Sequence, residues 1–210
     1  MAYSYPLTLP TVSGIRSISL RVRNVVGISQ SPFTLKQQVI SHSGQQWEAD
    51  ISLPPMTRDE GEDWVSFLVK LKGQQGTFLL GDPSGATPRG SAATTAGTPV
   101  VNGAGQTGSS LTIDGLPVSV SGYLKAGDYI QLGTASSSTL HKVLNDVTTS
   151  ASGEASFDIY PSIRTAPADG SSVTVSNAKG VFRLSSNETS WSISEVELFG
   201  ISFSAVEAIT

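Results

Sequence analysis

Residues 77–92 read TFLLGDPSGATPRGSA, and the fold turns on where the chain goes after Leu80. Thr77 to Leu80 are strand formers, and they run straight into Gly81-Asp82-Pro83-Ser84-Gly85. From Ala86 to Ser110 there is no aromatic residue and one charge, Arg89. Such a segment is too long and too poor in apolar side chains for an ordinary connection inside one compact unit. Residues 81–110 therefore read as a linker that leaves one body and enters another. Strand density returns at NAKGVFRLSS, where Val181, Phe182 and Leu184 follow one another closely.

Upstream of the stretch, RSISLRVR alternates Ile18, Leu20 and Val22 with Ser19, Arg21 and Arg23, the period of a half-buried strand. QWEADISL repeats the pattern with Trp47, Ala49, Ile51 and Leu53 on one face. Pro54-Pro55 then ends that strand, since neither proline can donate to a ladder. A helix follows. Thr57 and Glu60 form a capping-box pattern, and Asp59 places negative charge near the positive end of the dipole. Trp64, Phe67, Leu68 and Leu71 make one apolar stripe, and Gly73 supplies a left-handed stop. Burial of those four side chains is worth roughly 6–12 kcal/mol as an upper bound. Gly61 costs the helix about 1 kcal/mol relative to alanine, so it must lie against a sheet.

At the other end, Trp191, Ile193, Val196 and Leu198 give way after Gly200 to Ile201, Phe203 and Ala205. The change of parity predicts a bulge or corner at the glycine. Between the two dense regions the strands are short: Leu111–Ile113, Val118–Val120, Asp128–Leu132, Leu140–Leu144, Ala155–Tyr160 and Val173–Val175. Turn clusters such as LKAGD and PADGSS punctuate them as in a small sandwich or barrel. The fold expected is mainly β. Residues 1–90 and 177–210 form a discontinuous sandwich or barrel-like belt domain with one packed α-helix. Residues 91–176 form an inserted, outward-projecting small β-barrel or sandwich domain.

Charged residues make up only 14% of the 210, cysteine is absent, and the net charge is -4. Extra stability must then come from packing or assembly rather than disulfides. A net acidic chain without basic clusters argues against sequence-specific nucleic-acid binding. No apolar run reaches the ~18–20 residues of a membrane span, and MAYSYPLTLPTVSG lacks the features of a signal peptide, so we expect folding in the cytoplasm and no membrane insertion.

Chemistry-bearing patterns are sparse. His42 and His141 stand in unrelated contexts, and His141 in LHKVL is expected on the exposed face of a short strand. No nucleophile elbow, zinc-protease helix or phosphate loop occurs. We expect no catalytic residue, metal or cofactor. A glycan-degrading enzyme working through Glu195 or Asp158 is the weakest alternative.

The order of charges says more. Before Trp47 they are Arg16, Arg21, Arg23 and Lys36 with no acid; from Glu48 to Asp63 six acids stand with only Arg58; after Arg183 there are four glutamates and no base. Such asymmetry either pairs strands within one subunit or puts basic and acidic edges on opposite sides, as a head-to-tail ring requires. Both arrangements remain open at this point.

YPLTLPTVSGIRSISLRVRNVVGISQSPFT, QWEADISLPPM with its helix, GQQGTFLLGDPSGATPRG and WSISEVELFGISFSAVEA together resemble the distal tail proteins of long-tailed bacteriophages and prophages. The resemblance covers the outer domain through the order of elements. It implies a ring, usually hexameric, at the virion tail tip, assembled in the host cytoplasm and stacked between the tail tube protein and the baseplate hub protein. Arg16, Arg21 and Arg23 on one strand and Glu195 and Glu197 on another are the expected ring contacts. The insert resembles small β modules of phage tails that anchor a tail fibre or touch a cell-surface glycan. A second function is therefore a carbohydrate-binding module or fibre anchor, with Tyr129 and Tyr160 as its surface aromatics.

Overall fold

A computed structural model describes residues 3–12, 14–195 and 197–209. The protein is mainly β, in two sheets and one α-helix. In chain order the elements are β1 Ser17–Gln30, β2 Gln37–Ser52, α1 Arg58–Lys70, β3 Phe78–Leu80, β4 Val100–Val101, β5 Gly108–Asp114 and β6 Tyr129–Leu132. They continue with β7 Thr139–Val143, β8 Ala155–Ile163, β9 Val173–Thr174, β10 Gly180–Leu184, β11 Trp191–Ile193 and β12 Phe199–Glu207.

The first sheet runs β1-β2-β12-β10-β3, with β11 also paired to β12. It is discontinuous in sequence. β12 lies beside β2, with Ala205 opposite Ala49 and Ser202 opposite Ser52, and β10 lies beside β3, with Phe182 opposite Phe78. The alternation in QWEADISL fixes this register, because Trp47, Ala49, Ile51 and Leu53 are all buried. α1 covers the same face. Trp64, Phe67, Leu68 and Leu71 are buried, and Trp64, Phe67, Phe78 and Phe203 form a chain of ring contacts with centroids 5.6 to 6.2 Å apart.

Gly61 explains its own cost to the helix. A Cβ there would lie 2.5 Å from Phe199 Cγ, so only glycine lets the first turn of α1 approach the start of β12. After the C-cap Leu71 the chain turns left-handed one residue earlier than expected, at Lys72 with φ +53, and Gly73 continues it at φ +66.

The second sheet, β4-β5-β8-β7-β6-β9, closes nearly into a barrel. Its two outer strands meet: Val101 N donates to Ser171 O and Val173 N to Pro99 O, each at 2.9 Å. Leu111, Ile113, Tyr123, Leu124, Ile130 and Phe157 fill the interior. Burial drives the Tyr123 hydroxyl pKa up to about 12 while it donates to Ala96 O at 2.6 Å.

Four expectations are corrected. Residues 81–110 are not a slack linker. Ser91 N and Ala92 N donate to the carbonyls of Gly122 and Tyr123, the buried Asp128 carboxylate accepts from Arg89 N at 3.0 Å, and Ala92 enters the barrel core. The segment also contains β4 and the start of β5. Val118–Val120 is a turn region rather than a strand. The parity change near Gly200 comes from a hairpin turn, with Ser194 N donating to Leu198 O at 2.9 Å between β11 and β12, and not from a bulge at the glycine. Finally, His141 is buried, only 2% exposed.

Candidate functional site

Two features stand out, a projecting hairpin and the seam between the sheets. β1 and β2 stay paired along most of their length, from Ser17 opposite Ser52 to Gln30 opposite Gln37. β12 reaches only as far as Glu207, whose backbone carbonyl accepts from Gln46 Nε2 at 3.0 Å. Beyond that level the two strands continue without a third strand as an arm, Arg23–Gln30 of β1 against Gln37–Gln46 of β2, about 25 Å at ~3.3 Å per residue. Ser31 N to Lys36 O closes its tip at 2.9 Å, and Phe33 there is 94% exposed.

The arm inherits the apolar stripe of the sheet. Ile18, Leu20 and Val22 face Ile51, Ala49 and Trp47 across the pair; Ile18 and Leu20 pack against the core, and Val22 is already exposed. After an irregularity between Asn24 and Val26 the same parity resumes, with Val26 opposite Ser41 and Ile28 opposite Val39. At the base Ile18 and Leu20 are half-buried; from Val22 outward the stripe is exposed, at Val26, Ile28 and Val39, and so are Val25 and Ile40. Two strands with no third neighbour are marginal in water, and each such side chain gains about 1.5–3 kcal/mol when fully covered. The arm therefore has the character of an interface half. It was not legible as one in the sequence, although Ser31-Pro32 between two runs rich in β-branched residues marks its turn.

Aromatic rings form the centre of the seam. Trp47 of β2 donates its indole N–H to Leu140 O of β7 at 3.0 Å. Its ring meets Tyr129 at 6.1 Å and Tyr160 edge-on at 5.6 Å. Leu140, Tyr129 and Tyr160 thus belong to the core of the first sheet although their strands build the barrel. Strand alternation permits it: Ile130, Val143 and Ile159 point into the barrel while Tyr129, Leu140 and Tyr160 point away from it.

Polar contacts complete the seam. The Arg164 guanidinium grips the buried Glu207 carboxylate with both nitrogens, at 2.7 and 2.8 Å, and also donates to Gln45 O at 2.7 Å. Glu207 accepts in addition from Trp47 N at 3.1 Å. Ser162 N donates to Gln45 Oε1 at 2.7 Å, and the Tyr160 hydroxyl lies 3.2 Å from both Arg23 O and Asn24 Oδ1. The barrel consequently holds the root of the arm. His141 sits behind this network. Its Nδ1 faces the Pro161 carbonyl at 2.7 Å, so Nδ1 carries the proton and Nε2 accepts from Thr139 Oγ1 at 2.9 Å. Burial lowers its pKa to about 4, so the ring is neutral near pH 7.

The residues proposed from sequence fall in three places. Arg21 and Arg23 are paired within the chain, Arg21 to Asp50 at 2.5 Å and Arg23 to Glu48 at 3.6 Å, so the intramolecular reading of the charge order holds for them. Arg16 is exposed just before β1, its N–H donating to Ser52 O. Glu195 and Glu197 are exposed in the turn between β11 and β12 rather than on one strand face, and Glu197 has φ +59. Tyr129 and Tyr160 are not surface aromatics. Both are turned onto Trp47, because a ring on the outer face of the barrel gains more by joining the neighbouring core than by facing water. Lys142 Nζ covers the remaining face of Tyr129 at 4.7 Å.

A wide groove of about 510 Å³ runs over Ser17, Ser19, Asp50, Ser202 and Ser204. Its Asp50 carboxylate is already held by Arg21 and by Ser204 Oγ at 2.6 Å. Asp158 lies on β8 and Glu195 in the β11–β12 turn, so the two carboxylates considered for glycan cleavage belong to different sheets. Among the described residues no group of three or more His, Asp or Glu side chains could hold a metal ion. Neither a protein-family model nor a curated protein matches the chain.

Proposed function

We propose that the protein is a structural component of a bacteriophage tail tip, a homo-oligomeric ring, hexameric by resemblance, that joins the tail tube to the baseplate hub. The observation that carries this reading is the arm: an apolar stripe continuous with the core that leaves the body uncovered on a free hairpin. A monomer would keep that stripe in water, whereas a neighbouring copy can cover it. A chain that lacks disulfides would gain stability from the same contact.

In this reading the first sheet builds the ring and the barrel stands at its outer side as a fixed module for a tail fibre or another tail component. The seam supports that division of labour, since Trp47, Tyr129, Tyr160 and the Arg164–Glu207 pair join the two bodies rigidly. Load taken by the barrel would pass directly to the root of the arm. The carbohydrate-binding alternative loses the two aromatics on which it relied. The chain is proposed to act without catalysis, cofactor or nucleic-acid recognition.

The test is imaging of the purified protein by negative stain together with light scattering. Closed rings with a central opening are expected. Uniform single particles at the 21.9 kDa chain mass, at every concentration up to the millimolar range, would refute the proposal.

A further inference from the structure

The two acidic runs of the sequence come together at one end of the first sheet, and the arm leaves from the other. Met56, just before α1, exchanges backbone hydrogen bonds with Phe199 at 3.2 and 2.9 Å. This sets the first turn of α1, with the exposed Asp59 and Glu62, beside the β11–β12 turn with Glu195 and Glu197. Arg58 at this end is already within 4.0 Å of Glu62. The same turn exposes apolar surface: Trp191 is 43%, Ile193 59% and Leu198 36% exposed. This pole is therefore apolar and acidic.

The arm is apolar and basic. No acidic residue occurs before Glu48, and Lys36 places a positive charge beside the exposed tip. Register fixes the relation of the poles. The arm extends past the Glu207 end of β12, while the β11–β12 turn lies before its Phe199 end. Nine residues of β12 separate them, about 30 Å at ~3.3 Å per residue, and the arm points away. An arm cannot reach the acidic pole of its own chain.

Resting on the ring reading above, we propose that the Trp191–Leu198 hairpin tip and the acidic start of α1 receive the arm of a second copy of this chain. Val26, Ile28 and Val39 are covered by Trp191, Ile193 and Leu198, and Lys36 faces the carboxylates. Complementary charge at the two poles sets direction and suppresses tip-to-tip and arm-to-arm pairing. The contact is heterologous, using different surfaces on the two copies, and it closes into a ring when the rotation per copy permits.

The experiment uses two full-length variants with changes only at exposed positions. One carries Ile28→Asp and Lys36→Glu and keeps its acceptor pole; the other carries Glu195→Lys and Glu197→Lys and keeps its arm. Circular dichroism verifies that each is folded, and light scattering reads mass. Each variant alone is expected to need about tenfold or more higher concentration to assemble than the wild type, because like charges now face one another. An equimolar mixture is expected to give a discrete one-to-one dimer that grows no further, since one intact arm meets one intact acceptor. If the wild type forms rings and the acceptor variant forms them at the same concentration, the assignment of the acceptor is overturned while the ring stands. If the mixture yields no dimer although both variants are folded, the head-to-tail pairing is overturned. A wild type that stays monomeric overturns the ring reading and this inference together.

Discussion

Arg164, directly after β8, and Glu207, at the end of β12, face each other fork to fork, with nitrogen-to-oxygen distances of 2.7 and 2.8 Å. The carboxylate is 3% exposed and the guanidinium 26%. One residue belongs to the barrel and the other to the first sheet, so the pair is a bidentate, charge-assisted bond between them.

Removing the arginine leaves a buried carboxylate without its counter-charge. Arg164→Met is expected to cost about 3 kcal/mol, the low end for breaking a buried pair because Arg164 is partly solvated. Replacing both residues by methionine should recover most of that loss. Urea unfolding of the two variants beside the wild type measures the difference, and a single variant within about 0.5 kcal/mol of wild type would mean that water already satisfies Glu207.

Gly61 offers a test in which helix propensity and packing predict opposite signs. Propensity alone makes Gly61→Ala stabilising by about 1 kcal/mol. The new methyl would instead lie 2.5 Å from Phe199 Cγ and 2.8 Å from its Cβ, close to backbone that cannot swing aside. Net destabilisation of about 1–3 kcal/mol is expected from overpacking, read as a lowered urea midpoint.

His141 makes stability depend on mild acid. Its folded pKa is lowered to about 4 by burial from the ordinary 6.5, so between those values the unfolded chain binds a proton that the folded chain refuses. The histidine therefore costs nothing above pH 6.5, and stability falls as pH drops from there toward 4. Between pH 7 and pH 5 the loss is about 2 kcal/mol. Glu207 acts against the shift and Arg164 with it, both weaker than burial. Unfolding measured at the two pH values should show this loss in the wild type and lack it in His141→Gln.

Much of this architecture could be read from spacing. Trp47, Ala49, Ile51 and Leu53 fix the inner face of β2, and the stripe from Trp64 to Leu71 fixes the helix, because period and burial go together when one face is wet. His141 shares the barrel-facing parity of Val143, so its burial follows from the barrel itself, whereas Tyr129 and Tyr160 are buried for a different reason. Alternation says that a side chain leaves the barrel interior, but not that a second core waits on the far side. Residues 81–110 misled because their order rests on hydrogen bonds without compositional signature. Gln106, for example, accepts from Thr112 N at 2.7 Å and donates to Thr112 O at 2.9 Å. Beyond Asn24 the arm was silent, since an apolar stripe awaiting another chain lacks the burial that makes alternation meaningful.

The arm supplies the most direct test of the whole account. A chain in which Asn24 is joined to Gln45 through an Asn-Gly turn keeps both cores and loses the uncovered stripe. Sedimentation velocity should show the wild type as one closed species several times the 21.9 kDa chain mass, and the shortened chain as a folded monomer. Equal assembly of the two, or a wild type that sediments as a monomer throughout, would contradict the account.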